Sequence, residues 1–181
     1  MPDRYVALFR GINVGKAKRI AMADLRALLE SLGYIRVRTL LNSGNAVFDG
    51  AKAATSKHAQ RIQAAVLAEL GVDALVIVKS AADINAAIEG NALRDITTDP
   101  SRLLIAFTQD ATSLAALQSM ADTEWGAEAF RVGKHAAYVW CANGILDSKV
   151  AVALLKNLAQ SGTTRNASTV EKIQALMQAA D

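Results

Sequence analysis

The residues of this sequence that could bind a ligand are concentrated in a loop near its beginning. The segment RGINVGK, residues 10–16, follows an apolar run and precedes a pattern typical of a helix. It holds two basic side chains, one amide and two glycines, namely Arg10, Lys16, Asn13, Gly11 and Gly15. Glycines allow a close approach of the backbone, and N–H groups before a helix can bind an anion. The loop therefore predicts a small ligand that bears a phosphate or carboxylate group.

Known phosphate-binding motifs do not match this loop. Gly11 and Gly15 are one residue too close for G-x-x-x-x-G-K-[ST], and Ala17 stands where a hydroxyl should bind Mg²⁺. The dinucleotide fingerprint G-x-G-x-x-G is absent as well. Lys18 and Arg19 come just before the helix, where positive charge is unfavourable, and we interpret them as side chains that extend into water.

Hydrophobic periodicity predicts an α+β fold with two ferredoxin-like lobes. Residues 1–90 follow the order β-α-β-β-α-β, which is the split βαβ unit of a ferredoxin-like domain, and end with a further helix. Residues 91–101 are polar and are predicted to be a linker. Residues 102–181 repeat the order as β-α-β-β-α-α, with a helix in place of the last strand. Ser168 and Glu171 form an S-x-x-E capping box that predicts the start of this last helix.

The split βαβ topology predicts that two loops distant in sequence share one rim of the first sheet. The third strand lies between the first two, so the end of the first strand must lie beside the turn at residues 42–45. We call the 10–16 loop and this turn the rim, and we predict that Asn13, Ser43 and Asn45 add hydrogen bonds to the ligand, with Gly44 also part of the site. Alternatively, the glycines serve only as turn residues and the asparagines bond only their own backbone.

Two other kinds of function fit the composition. Residues 1–40 carry eight basic and three acidic side chains, whereas the whole chain has a net charge of only +3. This basic segment, with Tyr5 and Phe9 on one face of a strand and Arg36 and Arg38 on the next strand, permits single-stranded nucleic-acid binding by an open sheet face. The third possibility is a structural or protein-interaction module without a ligand.

The remaining residues do not indicate a catalytic site. Neither histidine has a second metal ligand at i+2 or i+4, and the lone Cys141 is expected to be a small buried hydrophobe. The carboxylates are scattered, so the sequence leaves open whether the protein is an enzyme, and no cofactor is predicted. No apolar stretch approaches the roughly 18 residues of a membrane span. A soluble cytoplasmic protein of undetermined oligomeric state is the simplest expectation.

Four segments resemble a known family. RGINVGK (10–16), MADLRALLESLGY (22–34), TLLNSGNAVF (39–48) and TTRNASTVEKI (163–173) are similar to the bacterial domain of unknown function 1697. The resemblance implies two ferredoxin-like halves and adds Arg165 and Asn166 as candidate ligand-binding residues, but it implies no established activity. The family more often has a glycine or polar residue where this chain has Lys16, and an aromatic residue where it has Ala167. The second difference predicts looser packing of the last helix.

Overall fold

The computed structural model describes residues 2–180. Contacts between Cα atoms divide the chain into two compact units. One unit is formed by the chain up to Ala82 and from Ile173 onward, and the other by Asp83–Lys172. Among residues 2–180, every helix is too short or too polar to cross a lipid bilayer.

The first unit contains a four-stranded antiparallel sheet. Its elements are β1 (Asp3–Phe9), α1 (Met22–Ser31), β2 (Ile35–Leu40), β3 (Asn45–Gly50), α2 (Thr55–Leu70) and β4 (Val76–Ser80). The strands lie in the order β2-β3-β1-β4, which is the predicted split βαβ arrangement. β3 therefore lies between β1 and β2 and runs antiparallel to both.

Successive side chains along each strand point to opposite faces of this sheet. On β1, Tyr5, Ala7 and Phe9 share one face and belong to the same buried cluster as apolar residues of α1 and α2. α1 contributes Leu25, Leu28 and Leu29, at the i, i+3 and i+4 spacing of one helix face. Burying each leucine side chain contributes roughly 1.5–3 kcal/mol, so this face holds the helix on the sheet.

The second unit repeats the same topology. α3 (Ala81–Glu89) leads through a segment with two short 3₁₀ turns, Arg94–Ile96 and Pro100–Arg102, into the second sheet. There follow β5 (Leu103–Thr108), α4 (Ala111–Ala116), β6 (Ala129–Val132), β7 (Ala137–Trp140), α5 (Lys149–Leu158), β8 (Gly162–Asn166) and α6 (Ala167–Gln178). The strand order is β6-β7-β5-β8, and the pairs are antiparallel. The predicted α+β class is thus confirmed, and the structure shows a four-stranded antiparallel sheet in each unit.

The last elements correct one detail of the predicted fold. The final helix exists, but it follows β8 and does not replace it. β8 has the polar sequence GTTRN, which has no apolar alternation, and it is a strand because its backbone pairs with β5. The predicted capping box is also wrong, because the Thr169 N–H donates to Asn166 Oδ1 at 2.8 Å and the helix begins at Ala167. The lobe boundaries at residues 90 and 102 stay a prediction.

Candidate functional site

The structure places the end of β1 beside the turn between β2 and β3, as the topology predicts. The Phe9 N–H donates to the Gly44 carbonyl at 3.0 Å. Gly44 has a φ of +94°, and a Cβ at this position would lie 2.6 Å from Ile12 Cδ1 and 2.8 Å from Phe9 Cβ. Only glycine allows the turn to pack this closely against the 10–16 loop. The two halves of the rim therefore meet.

Asn13 holds the 10–16 loop in shape. Its Nδ2 donates to the carbonyls of Ile20 and Asn42, each at 2.8 Å, and its Oδ1 accepts from the Ile20 N–H at 2.8 Å. Its own N–H donates to the Lys18 carbonyl at 3.0 Å, with the residue at a φ of +57°. Both side-chain donors of Asn13 are used by these bonds. The residue ties the loop to the start of α1 and to the 42–45 turn.

An open cleft of about 420 Å³ lies where these segments meet. We call it the rim cleft; its walls are formed by Asn13, Arg19, Ile20, Ala21, Met22 and Asn42. The Arg19 guanidinium donates to the Gly15 carbonyl at 3.2 Å, which holds it at this loop. Sequence reasoning missed Arg19, because its neighbours in the chain gave no sign that the loop folds back around it.

The amino end of α1 also borders the rim cleft. Ala21 is the N-cap residue and makes no side-chain capping bond. The Leu25 N–H is bonded to the Ala21 carbonyl, so the preceding N–H groups of Met22, Ala23 and Asp24 have no acceptor within the helix. These groups and the helix dipole favour an anion, while Asp24 in the first turn offsets part of that attraction.

The other predicted residues of the rim do not share this cleft. Arg10 is half-buried, and burial lowers the pKa of its guanidinium. Asn45 is fully buried, and its Nδ2 donates to the Leu40 carbonyl at 2.8 Å and to Ser43 Oγ at 3.3 Å. Lys16 is exposed to solvent. Their role in ligand binding stays a prediction.

Gly11 and Gly15 serve the turns of the loop. Both have positive φ values, +71° and +64°, and neither has a heavy atom within 4 Å of the place where a Cβ would lie. No other part of the described protein therefore packs closely against these two glycines. A left-handed backbone conformation is the structural reason for glycine at both positions.

Arg165 and Asn166 belong to the second unit, whereas the residues of the rim belong to the first. Arg165 lies in β8 and is buried; its Nη1 donates to Thr163 Oγ1 at 2.9 Å and to the Thr164 carbonyl at 2.8 Å. Desolvation lowers the pKa of its guanidinium to about 10. Asn166 caps α6, which is the helix-entry role of this amide.

Tyr5 and Phe9 do not form a base-stacking platform. Tyr5 and Phe9 are only 2% and 1% exposed, because α1 and α2 cover their face of the sheet. Bases can stack only on aromatic rings that reach solvent. The alternative of nucleic-acid binding by an open sheet face is therefore wrong for these residues.

The surroundings of the lone cysteine and the placement of potential metal ligands can be read directly from the described residues. Cys141 is fully buried, and desolvation raises the pKa of its thiol, so the reactive thiolate is disfavoured. Residues 2–180 contain no group of three or more histidine, cysteine, aspartate or glutamate side chains placed to hold a metal ion.

Comparison with known proteins identifies the family. Residues 2–138 match the family described as "Protein of unknown function (DUF1697)". The chain belongs to this family. A solved structure, that of the conserved bacterial protein SP0830 from Streptococcus pneumoniae, is similar to this chain with 24% sequence identity and a TM-score of 0.80. The match covers 98% of this chain and 100% of that chain, and at this identity the likeness concerns the fold alone. No curated protein matches the sequence significantly.

Proposed function

We propose that this DUF1697 protein binds a small anionic ligand, bearing a phosphate or carboxylate, in the rim cleft. One observation carries the proposal: the Arg19 guanidinium lines the same cleft as the first turn of α1, which has no side-chain cap. A guanidinium and free backbone N–H groups are the two donor types that proteins use most for such anions.

The size and charge of the rim cleft support a metabolite-sized ligand. Its volume of about 420 Å³ is at the lower end of the range of roughly 300–1,000 Å³ that holds drug-sized molecules. Lys16 and Lys18 belong to the same loop and add positive charge. The Asn42 side chain is exposed at the cleft and offers two further N–H donors.

A thermal-shift screen at low salt tests the proposal. The probes are inorganic phosphate, sulfate, sugar phosphates, nucleotides, small carboxylates and short single-stranded RNA and DNA. A ligand that binds only the folded state raises the melting temperature. We expect at least one small anion to do so, with an effect that shrinks as salt rises because the site is open to solvent.

Two arginine variants separate the rim cleft from general surface charge. Arg19→Gln removes the guanidinium that lines the cleft, and we expect affinity for the small anion to fall about tenfold or more. Arg26→Gln is the matched control, because Arg26 lies on the outer face of α1 and pairs with Glu30 at 3.4 Å. Equal losses in both variants, or no shift with any anion, would show that the rim has only a structural role.

A further inference from the structure

A second cavity, of about 230 Å³, lies entirely within the second unit. It shares no residue with the rim cleft, and its floor is formed by Leu103 and Ile105, which are only 1% and 2% exposed. These two residues lie at i and i+2 of β5 and therefore face the same side of the sheet. We call this space the α6 cavity, because the first turns of α6 form one wall.

Local structure explains why two opposite charges flank this floor. Ala167 and Glu171 are one turn apart on α6, at i and i+4, so they lie on one face of the helix and both line the cavity. Ile88, in the last turn of α3, also lines the cavity, and its carbonyl accepts a bond from Arg94 Nη2 at 3.1 Å. That bond fixes the Arg94 guanidinium at the cavity edge.

The charged groups at the edge keep hydrogen-bonding capacity that the described part of the fold does not use. Glu171 is not part of a helix cap, since Asn166 caps α6, and among the described residues no hydrogen bond or ion pair engages its carboxylate. Within residues 2–180 the Arg94 guanidinium makes one hydrogen bond, which leaves four of its five N–H donors for another partner. Asn91 and Thr97 also line the cavity but bond the Leu93 backbone, so they shape the wall.

We propose that the α6 cavity binds an α-amino acid with an aliphatic side chain. The ligand carboxylate pairs with Arg94, its ammonium group pairs with Glu171, and its side chain covers Leu103 and Ile105. A guanidinium matches a carboxylate in a two-bond geometry, and burial of an aliphatic side chain supplies the remaining affinity. The volume of about 230 Å³ is below the roughly 300 Å³ of the smallest typical drug-sized sites, so it favours a ligand this small.

Isothermal titration of the full chain with L-leucine tests this proposal. The comparison compounds are 4-methylpentanoate, which lacks the ammonium group, and 3-methylbutylamine, which lacks the carboxylate. We expect saturable binding of leucine and at least tenfold weaker binding of either compound, because each loses one charge-assisted hydrogen-bonded pair. Absence of saturable leucine binding, or equal binding of 4-methylpentanoate, would overturn the proposal.

Variants assign any binding to the α6 cavity. Arg94→Gln and Glu171→Gln should each weaken leucine binding about tenfold or more, and Ala167→Phe should abolish it by filling the space beside α6. Arg102→Gln is the control, because Arg102 follows in the same segment but bonds the Ala142 carbonyl and pairs with Asp99. Arg19→Gln should leave leucine binding unchanged, which separates this result from the rim cleft. Unaltered binding in Arg94→Gln and Ala167→Phe would refute the site.

Discussion

Asp49 is a buried carboxylate that pairs with arginines of both strands beside its own. It is fully buried in β3; its Oδ1 accepts from Arg4 Nε at 2.8 Å, and its Oδ2 pairs with Arg36. Arg4 Nη1 also donates to the carbonyls of Met177 and Ala179, at 3.0 and 2.9 Å. Arg36 has a φ of +52° in an irregular part of β2, where the register against β3 shifts. One carboxylate therefore joins β1, β2 and the end of α6.

Replacement of Asp49 by asparagine should destabilise the protein strongly. The variant leaves two arginines facing a neutral amide, and we expect a loss of about 2–3 kcal/mol in the free energy of unfolding, since both arginines are partly solvated. Urea denaturation measures this loss. Glu30→Gln is the control, because the exposed pair with Arg26 should contribute less than about 0.5 kcal/mol. Equal losses in the two variants would contradict the role given to Asp49.

His58 is a buried histidine whose hydrogen bonds fit the neutral ring. Its Nε2 lies 3.1 Å from the Ala51 carbonyl, which can only accept, so Nε2 carries the proton. Its Nδ1 therefore accepts from the Tyr34 hydroxyl at 2.9 Å. Desolvation lowers the pKa of His58; the bond to Ala51 acts against this, and the charge of Arg61 adds to it.

This pKa shift predicts that acid weakens the fold. Above the ordinary histidine pKa of 6.5 both states are neutral and His58 adds no pH dependence. Below it the unfolded chain takes up a proton that the folded protein resists, so stability falls until the lowered folded pKa is passed. Urea midpoints from about pH 7.5 to about pH 5 measure the slope. His58→Gln should reduce that slope, and an unchanged slope in this variant would contradict the assignment.

At the level of elements, the turn between β2 and β3 is fixed by its contact with the 10–16 loop. Gly44→Ala adds a methyl group to a residue at a φ of +94° and within 3 Å of Ile12 and Phe9. We expect a loss of about 2–4 kcal/mol, from backbone strain and from overpacking together. Gly15→Ala is the control. Its positive φ should cost about 1 kcal/mol of stability, but the added methyl group contacts no neighbouring atom. Thermal unfolding compares the two, and a Gly44→Ala protein no less stable than Gly15→Ala would contradict the packing.

The sequence predicts some elements much better than others. β1 and α1 can be predicted from the sequence, because the apolar run up to Phe9 and the helical spacing of Leu25, Leu28 and Leu29 are patterns typical of buried elements. β8 cannot be predicted in this way, since the polar GTTRN segment becomes a strand only through pairing with β5. The sequence mispredicts the start of α6 for a similar reason. Asn166 and Ser168 are both good N-cap residues, and the end of β8 at Asn166 decides between them.

At the level of the whole molecule, the sequence predicts the repeated topology. It predicts the candidate site only in part. Both sheets have the same strand order, so the element pattern alone places the 10–16 loop beside the 42–45 turn. It does not identify the side chains that face the rim cleft. Asn13 folds the loop onto Ile20 and Asn42, and that fold brings Arg19 into the cleft while Asn45 is buried.

A titration of ¹⁵N-labelled full-length protein with inorganic phosphate at low salt, followed by amide NMR spectra, tests the central claim most directly. We expect saturable shifts that centre on the amides of Met22, Ala23 and Asp24 and on Arg19, and that are lost in Arg19→Gln. Shifts spread over all basic surfaces, or none at the start of α1, would contradict an anion site in the rim cleft.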